Sequence, residues 1–157
     1  MFRKKFIDHL VQRVETLLPE IKTFKLWNRN VEFADQDEPW EMPALFVEFG
    51  EVRWEPLKHR YFRGSGTVIF HLVQPWDSLE PEEDIFRLSD KVRSVIAATP
   101  DTYYFSIRSP ESTQTNHDHG ELIESIETFR CKFGFDILAF DLDDHAPQMP
   151  ASSVMEE

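Results

Sequence analysis

The sequence predicts one α+β domain, in which two helices cover one face of a mainly antiparallel, curved sheet. Two stretches repeat their apolar residues at spacings of three and four, which is typical of amphipathic helices, and a proline follows each. Other stretches are rich in Val, Ile and Phe, which is typical of β-strands. The two longest of these stretches follow one another closely in sequence, as the strands of a hairpin do. The predicted order is helix, strand, strand, strand, helix, strand, strand, which indicates the α+β class.

Length and composition fit a single folded domain at residues 1–138, followed by an acidic tail at residues 139–157 that we expect to be flexible. Of the 157 residues, 41% are hydrophobic and 14 are Phe, which is ample material for one core. The net charge of −12 argues against a protein that mainly binds phosphate backbones. The single cysteine, Cys131, excludes an intrachain disulfide and a cysteine-rich zinc module, and it fits a reducing compartment.

The first helix is predicted for residues 2–18, and Pro19 closes it because proline lacks an amide donor and restricts the residue before it. Acidic and other polar residues interrupt the apolar stripe, so this segment is predicted to be neither a signal peptide nor a membrane span. Residues 21–27 alternate as a short first strand. Residues 28–43 show no clear period, and long loops of this kind are usually functional or mobile.

Residues 44–74 predict a long β-hairpin whose strands are separated by a polar segment at residues 55–60. The apolar alternation changes register beyond Gly50, which predicts a bulge or strong bend. Gly64 and Gly66 are expected to bend the second strand as well. The distal end of this curved hairpin is predicted to project past the core.

The second helix is predicted to begin with Asp77 or Ser78 as the capping residue and with Pro81 and several acids in its first turn, and to end near Thr99. Residues 103–108 predict a strand and residues 109–120 a polar loop. Residues 123–138 show the cleanest alternation in the chain and predict the last strand.

The polar loop contains the one stretch of sequence that could bind a metal. His117 and His119 would point the same way if the chain were extended there, and Asp118 or Glu121 could add an oxygen ligand. A catalytic zinc site needs a further ligand from a rigid element, so a solvated loop is the simpler interpretation and the prediction is no bound metal and no cofactor. A metal-dependent hydrolase that uses His117 and His119 is the alternative hypothesis.

Other chemically suggestive residues have plainer structural interpretations. His71 could be a general base, but no positioned partner is visible in the sequence, which favours a structural histidine. The Gly-Ser-Gly triplet at residues 64–66 fits neither a nucleophile elbow nor a phosphate loop. Cys131 alternates with two phenylalanines and is predicted to be a buried thiol. The acidic run at residues 141–145 lacks the glycine and glutamate of a calcium loop. No catalytic residue is therefore predicted.

Large apolar residues in the long loop and around the hairpin tip predict a subunit interface. Aromatic residues of this kind serve as anchors where proteins bind one another. The candidate interface residues are Trp40, Met42, Trp54, Leu57, Tyr61 and Phe62. A monomeric protein-binding adaptor with Trp40 and Trp54 in its groove is a further alternative.

Three segments carry a resemblance to a known family: FIDHLVQRVETLLP, then PALFVEFGEVRWEP with YFRGSGTVIFHLVQ, then PEEDIFRLSDKVRSVI. In pattern and order over residues 1–138 the chain resembles the tail-terminator and tail-completion proteins of long-tailed bacteriophages, including that of phage lambda. The resemblance implies a small α+β virion subunit, encoded by a phage or prophage, that caps the tail tube and takes part in head–tail joining. It implies no enzymatic activity.

The resemblance also implies partners and a location. Such subunits assemble as a homo-oligomeric ring, commonly a hexamer, and contact other tail or neck proteins. We expect no membrane partner and no sequence-specific nucleic-acid binding, although DNA passes through such a ring and an acidic lumen would let it slide. The expected location is the bacterial cytoplasm during assembly and then the virion tail or neck.

Overall fold

The computed structural model describes residues 2–27, 40–77, 79 and 81–136, which form two helices and one five-stranded sheet. The predicted α+β class and element order are confirmed. In the sheet the strands lie in the order β1-β2-β3-β5-β4, where β1 is parallel to β2 and the other neighbours are antiparallel. The elements are α1 (Phe2–Leu17), β1 (Thr23–Leu26), β2 (Ala44–Pro56), β3 (Tyr61–Pro75), α2 (Glu82–Ala97), β4 (Phe105–His119) and β5 (Leu122–Asp136).

Both helices form where the apolar spacing predicts them. Helix α1 buries Phe6, Leu10 and Val14, which share one face because they are four residues apart. Helix α2 begins at Glu82, and Pro81 occupies its N-cap position without a side-chain hydrogen bond. The predicted cap at Asp77 is wrong, since its carboxylate accepts the amide of Leu79 at 2.9 Å in the turn before the helix.

The hairpin of β2 and β3 is confirmed, and so is its bulge, because the register shifts between Phe49 and Val52. The strands approach closely here: a Cβ placed on Gly66 would lie 2.6 Å from the carbonyl oxygen of Glu51. At the distal end of the hairpin, which was predicted to project past the core, β2 is exposed from Arg53 to Pro56. Strand β5 pairs with β3 along its whole length, out to Tyr61, the first residue after the hairpin turn.

The predicted polar loop at residues 109–120 is wrong, because β4 continues as a strand to His119. Strand β5 supplies hydrogen-bonding partners for the backbone of this polar segment. Three register shifts in the pairing accommodate the irregular alternation of its residues. Gly120, with φ of 63°, makes the turn into β5. Residues 28–39 of the predicted long loop and the predicted tail at residues 139–157 lie outside the described residues.

The core lies between the two helices and one face of the sheet. Phe6 and Leu10 of α1 and Val92 and Ile96 of α2 contact side chains of β2, β3, β4 and β5 there. A second, smaller cluster lies on the opposite face, where Ala44, Phe46 and Val73 are packed beneath Trp27, Trp40, Met42 and Leu122. We call this opposite side, which no helix of the described part covers, the open face. No helix in the described part of the chain is long and apolar enough to span a membrane.

Candidate functional site

The most unusual polar cluster of the described chain lies on the open face and is centred on His71 of β3. Its Nδ1 atom is 2.9 Å from a carboxylate oxygen of Glu124 on β5, and its Nε2 atom is 2.7 Å from one of Glu48 on β2. Strand pairing explains the meeting, because β3 lies between β2 and β5 and the alternation of side chains places all three residues on the same face.

The cluster is covered by an aromatic residue and extended by an amide. The indole of Trp27 stacks on the imidazole of His71, with ring centroids 3.8 Å apart and planes inclined by 3°. Asn116 of β4 donates a hydrogen bond of 3.2 Å to the second oxygen of Glu124. Glu124 is 3% exposed, whereas the side chain of Glu48 is 39% exposed, so the cluster meets solvent on the Glu48 side.

The two contacts of the ring constrain the protons of the cluster. A neutral imidazole carries one N–H and can donate to only one carboxylate, whereas an imidazolium donates to both. The short distances on both sides therefore suit either an imidazolium between two carboxylates or a neutral ring beside one protonated carboxyl group. In both cases two protons, one in each hydrogen bond, join the three strands.

This arrangement makes His71 a poor general base but a good structural cross-link. A general base needs a free ring nitrogen within reach of the proton that it removes. Both nitrogens of His71 are already occupied by carboxylates, and Trp27 covers the ring. The sequence interpretation of a structural histidine therefore agrees with the geometry, while its premise that no partner is positioned is wrong.

A second buried polar cluster joins helix α2 to the sheet on the opposite side. Arg93 donates hydrogen bonds of 3.0 and 2.7 Å to the two carboxylate oxygens of Glu127 on β5, and Thr113 of β4 donates one of 2.6 Å. The bond to Glu127 raises the pKa of the Arg93 guanidinium above its usual value. This cluster attaches α2 to the sheet.

The candidate interface residues do not form one surface. Trp40 and Met42 pack on the small cluster of the open face, beside the first residues of β2. The remaining four lie at the far end of the hairpin. There Trp54 is 39% exposed and its ring contacts that of Phe2 at 5.1 Å, edge to face. The structure therefore divides the predicted interface between two ends of β2.

The histidines of the predicted metal stretch lie at the end of β4. His119 pairs with Leu122 across the turn, and the imidazole of His117 lies edge-on to Trp76 with centroids 5.9 Å apart. Within the described ranges, no group of three His, Cys, Asp or Glu side chains is placed to hold a metal ion. The acidic run at residues 141–145 lies outside those ranges.

The other two candidates behave as structural residues. Cys131 is 2% exposed, and burial raises the pKa of its thiol to about 12, which confirms the predicted buried thiol. Ser65 accepts a hydrogen bond of 2.6 Å from Lys132, so its hydroxyl is engaged in a cross-strand contact on the open face.

Sequence reasoning missed the two carboxylates of the open-face cluster. Glu48 and Glu124 are 23 and 53 residues from His71, and only the strand order brings them together. One signal was present: Glu48 and His71 are the polar residues within the otherwise apolar runs at residues 44–49 and 68–73. Once β3 is placed between β2 and β5, these interruptions predict a cross-strand cluster.

No protein-family model matches the chain, and no curated protein sequence matches it.

Proposed function

We propose that the chain is a structural virion subunit of the tail-terminator or head–tail joining kind, which assembles with copies of itself into a ring and acts through protein–protein contacts. The element order supports this proposal, because the structure has the helix, strand, hairpin, helix and paired strands on which the resemblance rests. The two polar clusters are also satisfied internally, as expected when residues hold a scaffold together.

The main support for the proposal is that the helices cover only one face of the sheet and that part of one sheet edge is unpaired among the described residues. Both helices pack on the same face. Among the described residues, β1 pairs with β2 only at Ala44–Val47, so the outer edge of β2 from Glu48 onward has no neighbouring strand. An unpaired strand edge can bind a strand of another chain, which extends the sheet through backbone hydrogen bonds.

The position of the edges favours a ring. The open edge of β2 and the outer edge of β4 lie on opposite sides of the sheet. A contact between two different surfaces of the same chain is head-to-tail, and repeated contacts of this kind close into rings when the rotation permits. The net charge of −12 suits a ring that DNA traverses without binding.

Solution mass tests the proposal, and the chain offers a matched pair of tryptophans. Trp54, beside the open edge, and Trp76, after the end of β3, are each 39% exposed. We expect light scattering and native mass spectrometry to show an oligomer for the wild-type chain and for Trp76→Ala, and a smaller species for Trp54→Ala. Circular dichroism checks that both variants fold.

A monomer at every concentration reached would contradict self-assembly as a property of the free subunit. Equal masses for the two variants would show that assembly, where it occurs, does not use the hairpin end.

A further inference from the structure

A groove of about 600 Å³ lies between the first half of α1 and the strands β1 and β2. Ile7, Leu26 and Phe49 give it an apolar lining, and Leu26 is 55% exposed although it lies in a strand. A concave surface with exposed apolar groups is typical of a place where an apolar side chain of a partner binds.

The rim of the groove is mainly basic. Arg3 and Lys4 line it together with Asp8, which pairs with Lys4 at 2.6 Å. Helix α1 has no acid in its first turn, so the positive end of its dipole is not offset there. The ring of Phe2, over which Arg3 lies, contacts the exposed Trp54. The groove therefore adjoins the hairpin end and favours a partner with negative charge.

The most exposed large apolar residue of the described chain is Leu79, in the turn between β3 and α2, where 91% of its surface is accessible. Residues 76–84 read WDSLEPEED, a stretch with five acids and neither Lys nor Arg. Among them Asp77 and Glu83 are exposed. Leu79 is thus an exposed apolar side chain in an acidic setting, which complements an apolar groove with a basic rim.

The turn at Leu79 is far from the groove of its own chain. Phe49, in the groove, pairs with Val68, and β3 continues from there for seven residues to Pro75. Those seven residues span about 23 Å, whereas the four steps from Pro75 to Leu79 cover at most about 14 Å when fully extended. The exposure of Leu79 also means that its side chain contacts little of its own chain. A contact between Leu79 and the groove therefore joins two copies.

We propose that Leu79 of one copy binds the groove of the next copy, where its side chain lies between Ile7, Leu26 and Phe49 and its acidic neighbours face Arg3. The turn and the groove are different surfaces, so the contact is head-to-tail and can close into a ring. The inference rests on the proposed self-assembly and names the two surfaces that meet in it.

Photo-crosslinking of the full-length chain tests this contact. p-Benzoylphenylalanine, which is large and apolar, replaces Leu79 in one variant and Leu17 in a control, because Leu17 is 40% exposed and does not line the groove. Each variant is mixed with an isotopically labelled wild-type chain. We expect position 79 to give products of dimer mass that map to residues 3–8, 26 or 49 of the labelled chain, with at least about three times the yield from position 17. Products of monomer mass, products that map elsewhere or equal yields would overturn the proposal.

Analytical ultracentrifugation of two variants at the same position provides the second test. Leu79→Asp should weaken association about tenfold or more, because a charged group would enter the apolar groove, whereas Leu79→Met should leave it unchanged. Circular dichroism verifies that both variants fold. The ring of Trp76 contacts that of His117 on β4, so we leave Trp76 outside this contact, and its substitution remains a control for assembly.

The two tests separate this contact from self-assembly itself. Equal association of Leu79→Asp and Leu79→Met in a chain that is still oligomeric would overturn the groove contact and leave the proposed function standing. A wild-type chain that stays monomeric and gives no products of dimer mass would contradict both.

Discussion

Glu127 shows how a single buried carboxylate can determine where a helix packs. Its side chain is 2% exposed, and it accepts hydrogen bonds from Arg93 of α2 and from Thr113 of β4. A carboxylate in this position is tolerated only when it is paired, because burial of an isolated charge costs several kcal/mol. Helix α2 is therefore held to the sheet by an ion pair as well as by its apolar stripe.

Removal of the arginine should consequently destabilise the protein far more than loss of a surface ion pair. We expect Arg93→Met to lower the free energy of unfolding by about 3 kcal/mol, since Glu127 would remain buried and charged without its partner. Arg87→Met is the matched control, because the same helix pairs Arg87 with Asp84 at the surface, and it should cost at most about 0.5 kcal/mol. Urea unfolding measures both, and equal losses would contradict the assigned role of the pair.

Among the elements, the hairpin was predictable because its signals are local. The alternation of β2 and β3, the register change at Gly50 and the polar turn all lie within residues 44–74. Strand β4 was not predictable in the same way. Its residues 109–119 are polar and their alternation is broken by three register shifts, so the strand exists because β5 pairs with it rather than because of its own pattern.

The close contact of the hairpin strands gives an element-scale prediction. At Gly66 a Cβ would meet the backbone of β2, which cannot move aside, so Gly66→Ala should lower the free energy of unfolding by about 1–3 kcal/mol. At Gly120, where nothing lies within 4 Å, only the positive φ matters. Gly120→Asn should therefore cost little, because Asn tolerates that conformation.

Urea unfolding of the two glycine variants gives the comparison. An equal cost at Gly66 and Gly120 would mean that the bulged region of the hairpin adapts to a side chain.

At the scale of the whole molecule, strand order creates features that no local pattern contains. The open-face cluster joins residues of three strands around His71, and each partner lies in a different part of the sequence. The same holds for Trp54, which contacts the first turn of α1 through Phe2. Composition and periodicity predicted the α+β class. The candidate site could not be predicted without the strand order β1-β2-β3-β5-β4.

That order predicts how strongly each strand is protected from hydrogen exchange. Strands β3 and β5 have a neighbour on both sides, so their amides should exchange only through global unfolding, about 10⁴-fold or more slower than an unfolded chain. Alternate amides of β2 beyond Val47 face its open edge and should exchange rapidly in a monomer. Strand addition in a ring would give these amides partners.

Exchange measured by mass spectrometry on the wild-type oligomer and on Trp54→Ala separates the two cases. We expect the outward amides of residues 48–56 to be protected in the oligomer and to exchange rapidly in the smaller species, while β3 exchanges equally in both. The β3 amides serve as the internal control, because they report any general loss of stability caused by the substitution. Assembly without new protection at residues 48–56 would show that copies of the chain meet through another surface and that the open edge of β2 is free for a different partner.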